Sequence, residues 1–301
     1  MRIALTGATG FIGQYIVEKL VESGHELSCW HREHSDRSML EPYSDSIDWL
    51  KGDLRDHDSV DRLIRDCDAI VHNAYWRPGE GFRGSEGDVV EFARVNVLGT
   101  LNLIEQSISA GLKRFVFVST CAVHEQILTD RPLDEAHPLW PLSHYGAHKA
   151  ALEKFVHSYG FGFGYPICAI RPTGVYGIRN PVSSSKWYEL ISRIMDNKSV
   201  RVSGGGKEVH ASDVARGIEV LLNADQISGQ SYACYDRYVS EFEVATIAKE
   251  ITGSSSEILG EPKVPRNEIE TQKIEQLGMA FGGEALLKQT IADLVQRTRA
   301  S

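Results

Sequence analysis

The chain has 301 residues, of which 42% are hydrophobic and 24% charged, and its formal net charge is −9 at pH 7. This composition is typical of a globular protein, and a disordered chain is not expected. The acidic balance, with no block of like charge, argues against a nucleic-acid partner. The five cysteines are widely spaced and include no CxxC pair, so neither a disulfide framework nor a zinc site is expected.

The chain begins Met-Arg-Ile-Ala-Leu-Thr-Gly, which runs directly into a predicted strand. No stretch reaches the roughly 18 consecutive apolar residues that a membrane span requires. We therefore expect a cytoplasmic protein without a membrane partner.

Up to about residue 171, short apolar or β-branched runs alternate with longer segments of helical period. This alternation predicts an α/β protein with a doubly wound parallel sheet that is covered by helices on both faces. Apolar helix faces from Phe11 to Val21 and from Val90 to Ile104 are predicted to be crossovers. The predicted strands are Ile3 to Thr6, Glu26 to Trp30, Ile47 to Lys51, Ala69 to His72, Phe115 to Ser119 and Ile167 to Arg171.

After Arg171 the predicted elements become shorter, and Ser240 and Glu243 have the spacing of a capping box. The pattern predicts a first domain over residues 1–175 and a small discontinuous C-terminal lobe, mostly within 176–301 and interleaved with the first domain. The predicted helices are Trp187 to Met195, Ser212 to Asn223, Glu241 to Thr252 and Glu284 to Arg299, and the predicted strands are Val200 to Ser203 and Tyr232 to Tyr235.

Three glycines, Gly7, Gly10 and Gly13, lie between the first strand and the first helix, with Phe11 and Ile12 among them. At such a turn, glycines allow backbone N–H groups and a helix N-terminus to approach a pyrophosphate. The spacing therefore predicts a dinucleotide site. The alternative is a turn that merely needs small residues.

The second strand ends in His31 and Arg32, where a carboxylate would otherwise bind the ribose hydroxyls of NAD. A guanidinium suits a 2′-phosphate, so these two residues favour NADP, with NAD as the alternative cofactor. A solvated loop arginine is the other interpretation of Arg32. After the third strand, Asp53 is an acid that could accept the adenine amino group.

Tyr145 and Lys149 are four residues apart, which on a helix brings a phenol and an amine to one face. A neighbouring ammonium lowers the pKa of a phenol, which suits proton transfer near neutral pH. Lys149 can also hold a nicotinamide ribose. An exposed helix face is the alternative, but hydroxyls at Ser119 and Thr120 end a predicted strand, where ligands of open α/β sheets bind.

In this order, the glycine turn, the strand-end hydroxyl and Tyr-x-x-x-Lys resemble the extended short-chain dehydrogenase/reductase family, also called the NAD-dependent epimerase/dehydratase family. The resemblance extends from residue 2 to about 225. It implies a Rossmann domain and an NAD(P)-dependent dehydrogenase, reductase or epimerase that transfers hydride to or from a sugar, sugar acid or related hydroxy or carbonyl compound. It also implies a homodimer. Thr120 is similar to the family's catalytic hydroxyl, with Ser119 as the alternative.

The resemblance also implies several cofactor contacts and a motif of the substrate lobe. His210 to Ala215 resembles that motif, although a plain helix N-cap by Ser212 or Asp213 explains it equally well. The implied cofactor contacts are Asp53, Leu54, Asn73, Ala74, Asn96 and Thr173.

The chain departs from the family at two places. Cys121 and Ala122 follow Thr120 where dehydratases carry Asp-Glu, so dehydration is not expected, and Cys121 is interpreted as a packing residue. Nucleotide-sugar enzymes usually hold the diphosphate with an arginine before the His-x-x-Asp-Val motif, and here only Lys207 could substitute. The C-terminal lobe is also short. A smaller polar substrate is thus at least as well supported as a nucleotide sugar.

The predicted pocket wall combines aromatic rings, which stack on sugars, with cations that bind carboxylate or phosphate. Trp76 and Arg77, in a loop from Tyr75 to Glu80, are placed opposite Arg179 and Lys186. An anionic or hydroxylated small molecule is therefore the expected substrate. The rival hypothesis is a non-catalytic dinucleotide sensor, which would need none of Thr120, Tyr145 and Lys149.

Overall fold

A computed structural model describes residues 1–79, 84 and 86–300. Glu80, the last residue of the predicted pocket-wall loop, lies outside the described residues. Over the described ranges, no helix combines the length and the apolar character that crossing a membrane would need.

The chain divides into two compact units. Unit 1 consists of Met1–Pro172, Val214–Cys234 and Ile269–Met279, and unit 2 consists of Thr173–Asp213, Tyr235–Glu268 and the residues from 280 onward. Two segments beyond residue 175 therefore belong with the N-terminal part of the chain.

Twelve strands and ten helices are found within the described residues, together with short 3₁₀ and π-helical segments. The strands are β1 Arg2–Thr6, β2 Glu26–His31, β3 Ile47–Lys51, β4 Ala69–His72, β5 Arg114–Val118, β6 Ile167–Pro172, β7 Gly174–Tyr176, β8 Val200–Arg201, β9 Gly205–His210, β10 Gln230–Cys234, β11 Arg237–Ser240 and β12 Ile258–Leu259. The helices are α1 Phe11–Glu22, α2 His57–Ile64, α3 Val89–Ala93, α4 Gly99–Ser109, α5 His144–His157, α6 Tyr188–Met195, α7 Ala211–Asn223, α8 Glu241–Thr252, α9 Gln272–Glu275 and α10 Gly283–Ala300.

The sheet of unit 1 has seven strands in the order β10-β6-β5-β4-β1-β2-β3, and every pair in it is parallel. The order reverses direction at β1, as in a doubly wound sheet, which confirms the predicted fold class. The strands β4 and β6 are buried along their whole length, because helices cover both faces of the sheet. Ile70, Phe115, Leu103 and Leu152 belong to the resulting core.

A π-helical segment, Arg94–Leu98, separates α3 from α4. The sequence predicts one helix from Val90 to Ile104, and the chain is indeed helical throughout this range. The wider turn matters because Asn96 lies in it and is buried. π-Helical turns are frequent at functional sites.

Unit 2 has a three-stranded sheet in the order β11-β9-β7 and a two-stranded pair of β12 and β8. Its core includes Ile191, Val244, Leu287 and Ile291 from α6, α8 and α10. The sequence did not predict β7 or β9, because β7 is three residues long and β9 begins with two glycines.

The two helix starts predicted from caps in the C-terminal half have different outcomes. The Ser240 hydroxyl accepts the Glu243 N–H at 3.1 Å, which confirms the predicted N-terminus of α8. The alternative N-cap at Ser212 or Asp213 is wrong, because α7 begins at Ala211 and both residues lie inside its first turn. There, Ser212 bonds to the His210 ring at 2.6 Å.

Candidate active site

At two positions of the turn after β1, only glycine fits. Gly7 has a φ of +76°, and a Cβ at Gly13 would lie 2.0 Å from the Gly7 carbonyl oxygen. The helix α1 starts after Gly10 with no side-chain cap and no acid in its first turn, which includes Phe11 and Ile12. An uncapped helix N-terminus behind a close backbone turn fits a pyrophosphate.

The segment after β4 is bonded to this turn through Thr6. The Thr6 hydroxyl oxygen accepts the N–H groups of Asn73 at 3.2 Å and Ala74 at 3.0 Å, so its own proton is directed to Nδ1 of His72 at 2.7 Å. Burial, with a smaller contribution from the charge of Lys149, lowers the pKa of His72 to about 3. His72 is therefore neutral, and its remaining proton is on Nε2.

This proton continues the chain of hydrogen bonds to Asn96. The Nε2 of His72 donates to the Thr100 hydroxyl at 2.8 Å, which donates to the Asn96 carbonyl at 2.6 Å. The side-chain amide of Asn96 accepts the Trp76 N–H at 2.8 Å and donates to the Trp76 carbonyl at 2.9 Å and to that of Phe92 at 3.1 Å. Asn96 thus fixes the loop after β4, and its predicted support of a cofactor stays a prediction.

The helix α5 carries Tyr145 and Lys149. Its N-cap, Ser143, accepts the Gly146 N–H at 3.1 Å. A Cβ at Gly146 would lie 2.6 Å from the Ala122 carbonyl oxygen. Glycine therefore lets the first turn of α5 pack against the segment that follows Thr120, which brings Tyr145 to the carboxyl end of β5.

Lys149 is 4% exposed and donates to the carbonyl of Val118, the last residue of β5, at 2.7 Å. Its Nζ also lies 4.5 Å from the centroid of the Phe117 ring. Burial lowers the pKa of Lys149 to about 7, against the opposing charge of Glu153. Its charge state is therefore sensitive to small changes in its surroundings near neutral pH.

The two candidate hydroxyls after β5 have different partners. Ser119 donates to the buried carboxylate of Glu153. The Thr120 hydroxyl oxygen accepts the Ala122 N–H at 3.1 Å, and no acceptor for its own proton is found among the described residues. Thr120, which the sequence analysis favours over Ser119, is therefore able to donate to another group.

Behind Ser119 lies a buried ion pair that the sequence pattern does not predict. Arg171 is 1% exposed and donates to Glu153 through Nε at 2.9 Å and Nη2 at 2.5 Å, and Ser231 donates to the same carboxylate at 2.9 Å. Burial favours the protonated form of Glu153, but Arg171 and the hydroxyl donors outweigh it and hold its pKa below the usual value. One available signal was that Glu153 follows Lys149 by one helical turn.

Aromatic rings surround Tyr145. The Tyr75 ring meets it edge to face, with centroids 5.2 Å apart and an interplanar angle of 78°. Tyr75 also stacks on His148 at 5.4 Å and 24°, and Phe92 meets the edges of both. Nothing in the sequence pattern predicts a role for His148.

The residues predicted to contact the adenosine ribose of the cofactor lie in the loop after β2. The Arg32 N–H donates to the Ser35 hydroxyl at 2.9 Å, and the His31 ring contacts the Arg32 carbonyl at 3.1 Å. The Arg32 side chain is exposed. The guanidinium is therefore accessible to a ligand at the end of β2.

Asp53 is already bonded to a neighbour. Arg55 donates to its two carboxylate oxygens at 2.7 and 3.0 Å. Burial of Asp53 favours its neutral form, but Arg55 and, to a smaller extent, Arg32 hold its pKa below the usual value. Leu54 is buried, and its carbonyl lies close to Gly99. The predicted adenine contacts of Asp53 and Leu54 stay predictions.

Among the substrate residues predicted in unit 1, Trp76 and Arg77 are both half-buried. The Arg55 guanidinium lies 6.0 Å from the Trp76 ring centroid. Both backbone groups of Trp76 are bonded to Asn96, so the position of the loop is fixed at this residue.

Three predicted site residues belong to unit 2. The Thr173 hydroxyl is buried and has no hydrogen-bond partner within the described ranges, as a ligand contact would require. Lys186 forms an ion pair with the buried Glu208 at 2.5 Å, so its charge is neutralised within the protein. Arg179 donates its backbone N–H to Ser185 at 2.9 Å.

Unit 2 also contains an open cavity of about 490 Å³. Arg237, Lys263, Tyr238 and Glu268 are among its lining residues, and none of the predicted substrate residues lines it. Nη1 of Arg237 is buried without a hydrogen-bond partner among the described residues. Arg237 is paired with Glu243 at 2.8 Å, so Lys263 and the Tyr238 hydroxyl are the groups that this cavity offers to a polar ligand.

The comparisons with known proteins agree with one another. The model of the NAD dependent epimerase/dehydratase family matches residues 3–234. A putative UDP-glucose 4-epimerase of Methanocaldococcus jannaschii is 28% identical over 229 residues, which cover 73% of each chain. A dTDP-glucose 4,6-dehydratase of Streptomyces niveus is 31% identical over 238 residues, which cover 74% of this chain and 69% of that protein. The crystal structure of UDP-glucose 4-epimerase from Thermus thermophilus in complex with NAD matches with a TM-score of 0.78 and 25% identity, covering 100% of both chains.

Proposed function

Because the chain belongs to the NAD-dependent epimerase/dehydratase family of extended short-chain dehydrogenases, we propose that Tyr145, Lys149 and Thr120 are its catalytic residues. The protein is an NAD(P)-dependent enzyme of the hydride-transfer type. The proposed substrate is a sugar, sugar acid or related hydroxy or carbonyl compound. One observation carries the assignment: the buried amine of Lys149 lies at the end of β5, on the same helix that presents Tyr145.

When bound, the dinucleotide supplies or accepts the hydride. Tyr145 then gives a proton to the substrate oxygen, or takes one from it, at its phenol oxygen. The amine of Lys149 is held by the Val118 carbonyl. When this amine is protonated, its positive charge stabilises the Tyr145 phenolate. Thr120 donates its available proton to the same substrate oxygen and orients it. The bond from Ser119 to Glu153 favours Thr120 over Ser119 for this role.

The residues present fit a dinucleotide. The glycine turn with Phe11 and Ile12 would hold the pyrophosphate, and the segment of Asn73 and Ala74 would line the cofactor. The unpartnered Thr173 hydroxyl, judged within the described ranges, is a further proposed contact. Exposed Arg32 supports NADP as the preferred cofactor, with help from His31, and NAD is the alternative.

The substrate class has two candidates. A free sugar or another uncharged hydroxy or carbonyl compound is supported by the neutralisation of Lys186 by Glu208, which removes one cation that a diphosphate or a carboxylate could use. A nucleotide sugar, with tightly bound cofactor and net epimerisation, is supported by the similarity to UDP-glucose 4-epimerases.

A substrate panel separates these candidates. Free sugars, sugar acids and UDP- or dTDP-sugars are each mixed with the purified protein and NADP or NAD, and absorbance at the nicotinamide band is followed. Epimerisation is checked by NMR of the sugar product. A dinucleotide sensor is supported only if no substrate class is turned over while the dinucleotide still binds.

The assignment of Tyr145 is tested by Tyr145→Phe. Removing one hydroxyl should lower kcat about 10³-fold, because proton transfer is worth about 10² to 10⁴. The Kd of the dinucleotide, measured by calorimetry, should change less than about threefold. Tyr159→Phe, which removes a phenol that bonds to Glu105, is the matched control and should keep its activity. Full activity of Tyr145→Phe would refute the catalytic role.

We also propose that the protein is a homodimer. Val90 and Leu98, around the π-helical turn, and Phe161 and Phe163, just after α5, are exposed apolar side chains. A second copy of the chain would cover them. Light scattering should give about twice the mass of the chain, and Leu98→Asp should give a monomer.

A further inference from the structure

Tyr75 is held in place on both sides along the chain. Before it, the Ala74 N–H donates to Thr6 at 3.0 Å. After it, both backbone groups of Trp76 are bonded to the Asn96 amide. The Tyr75 backbone therefore has little freedom, although it lies in a loop after β4.

The Tyr75 ring is fixed as well. It stacks on His148 and meets the edge of Phe92 at 5.8 Å. His148 is only 6% exposed, and burial lowers its pKa to about 2, with a smaller contribution from the charge of Lys149. The stack is thus uncharged at any pH near neutrality, and its packing does not depend on pH.

Tyr145, in contrast, is half-buried and lies in the first turn of α5. Staggered rotamers on one helix differ in the position of the phenol oxygen by several ångströms. The edge-to-face contact with Tyr75 at 5.2 Å restricts this choice. A displacement of about 1 Å at a reacting group costs up to about 10²-fold in rate.

We propose that Tyr75 is a positioning residue: its ring, braced by His148, holds the phenol of Tyr145 in the orientation that proton transfer requires. The inference rests on the proposed function, because it assigns to Tyr75 a role that acts only through Tyr145. What acts is the planar ring and not the Tyr75 hydroxyl, so phenylalanine should replace it.

The test compares Tyr75→Leu with Tyr75→Phe. Leucine keeps apolar volume but lacks the flat ring, and we expect kcat to fall about 10- to 100-fold, with KM and the dinucleotide Kd within about threefold of wild type. Phenylalanine should retain at least about half of kcat. Tyr43→Leu, the same substitution at a half-buried tyrosine in the segment between β2 and β3, is the control and should keep full activity.

If the role of Tyr75 were merely structural, Tyr75→Leu would lower the melting temperature and raise KM as well as lower kcat. Tyr75→Phe would then show the same changes to a smaller extent. That result, or an unchanged kcat in Tyr75→Leu, overturns the proposal. If Tyr75→Leu does not fold, His148→Asn removes the brace alone and should lower kcat severalfold at unchanged KM, with an unchanged kcat counting against the proposal. An active Tyr145→Phe would instead refute the proposed function itself, whatever the Tyr75 variants show.

Discussion

Two regions of unit 1 differ in how their charged side chains are placed, since one set is buried and paired and the other is exposed. Behind the ends of β5 and β6, Glu153 and Arg171 are buried and bonded on nearly every side. In the loop after β2, Arg32 is exposed, and its backbone N–H is bonded to a serine hydroxyl of the same loop. The first arrangement fixes positions in the fold, whereas the second leaves a charge accessible to a ligand.

Lys149 lies between these extremes. It is nearly as buried as Arg171, yet its amine donates to a carbonyl and not to a carboxylate. Burying an amine in this way lowers the stability of the fold, but it also brings the pKa of the amine close to neutral pH, so that the charge can change. The comparison predicts that removing charge has structural effects behind β5, pH-dependent effects at Lys149, and effects on ligand binding alone at Arg32.

The largest effect is expected at the buried pair. Glu153→Ala leaves the Arg171 guanidinium buried without its carboxylate and should lower the free energy of unfolding by about 3–5 kcal/mol. Chemical denaturation followed by circular dichroism measures it. Lys154→Ala, at an exposed position on the same helix, should stay within about 0.5 kcal/mol of wild type. Similar losses of unfolding free energy in both variants would contradict the structural role assigned to the buried pair.

An intermediate effect is expected for Lys149→Met. The folded pKa of about 7 lies below the ordinary lysine value of 10.5, so the unfolded chain binds more protons between these values and wild-type stability rises with pH there. The variant lacks this rise. Between about pH 6 and pH 9, wild type should gain about 3 kcal/mol relative to the variant. Denaturation curves at both pH values measure the difference, and parallel pH dependences would contradict the lowered pKa.

The smallest effect is expected at Arg32. Arg32→Ala should weaken NADP binding about tenfold, or about 1.4 kcal/mol, and leave NAD binding and thermal stability nearly unchanged. Calorimetric titration with both dinucleotides tests this, with the exposed Arg65→Ala as control. An equal loss for the two cofactors would remove the proposed phosphate contact.

The sequence predicts the regular part of the fold well. Hydrophobic period and turn residues locate β3, β4 and α8 to the residue, because these elements bury continuous or amphipathic apolar runs. The strand at Phe115 is predicted to reach Ser119, but β5 ends at Val118, since Ser119 turns inward to Glu153.

The side-chain network could not be predicted in the same way. Nothing in the local spacing relates Thr6 to His72 and Thr100, which meet only because β1 and β4 are neighbours in the sheet. The same holds for Tyr75 and His148, whose rings stack although the two residues are far apart in the chain. Lys186, predicted to be available to an anion, is bonded to Glu208, a partner that an unpredicted strand supplies.

The line of hydrogen bonds from Thr6 to Asn96 has a practical consequence for spectroscopy. The proton on Nε2 of His72 is buried and shared with a hydroxyl, so it should exchange slowly with solvent and give a resolved downfield line in proton NMR. Because Thr6 also binds the segment next to Gly7, that line should shift when a dinucleotide enters the turn. The molecule therefore carries its own label for cofactor binding, readable without a dye or an enzymatic assay.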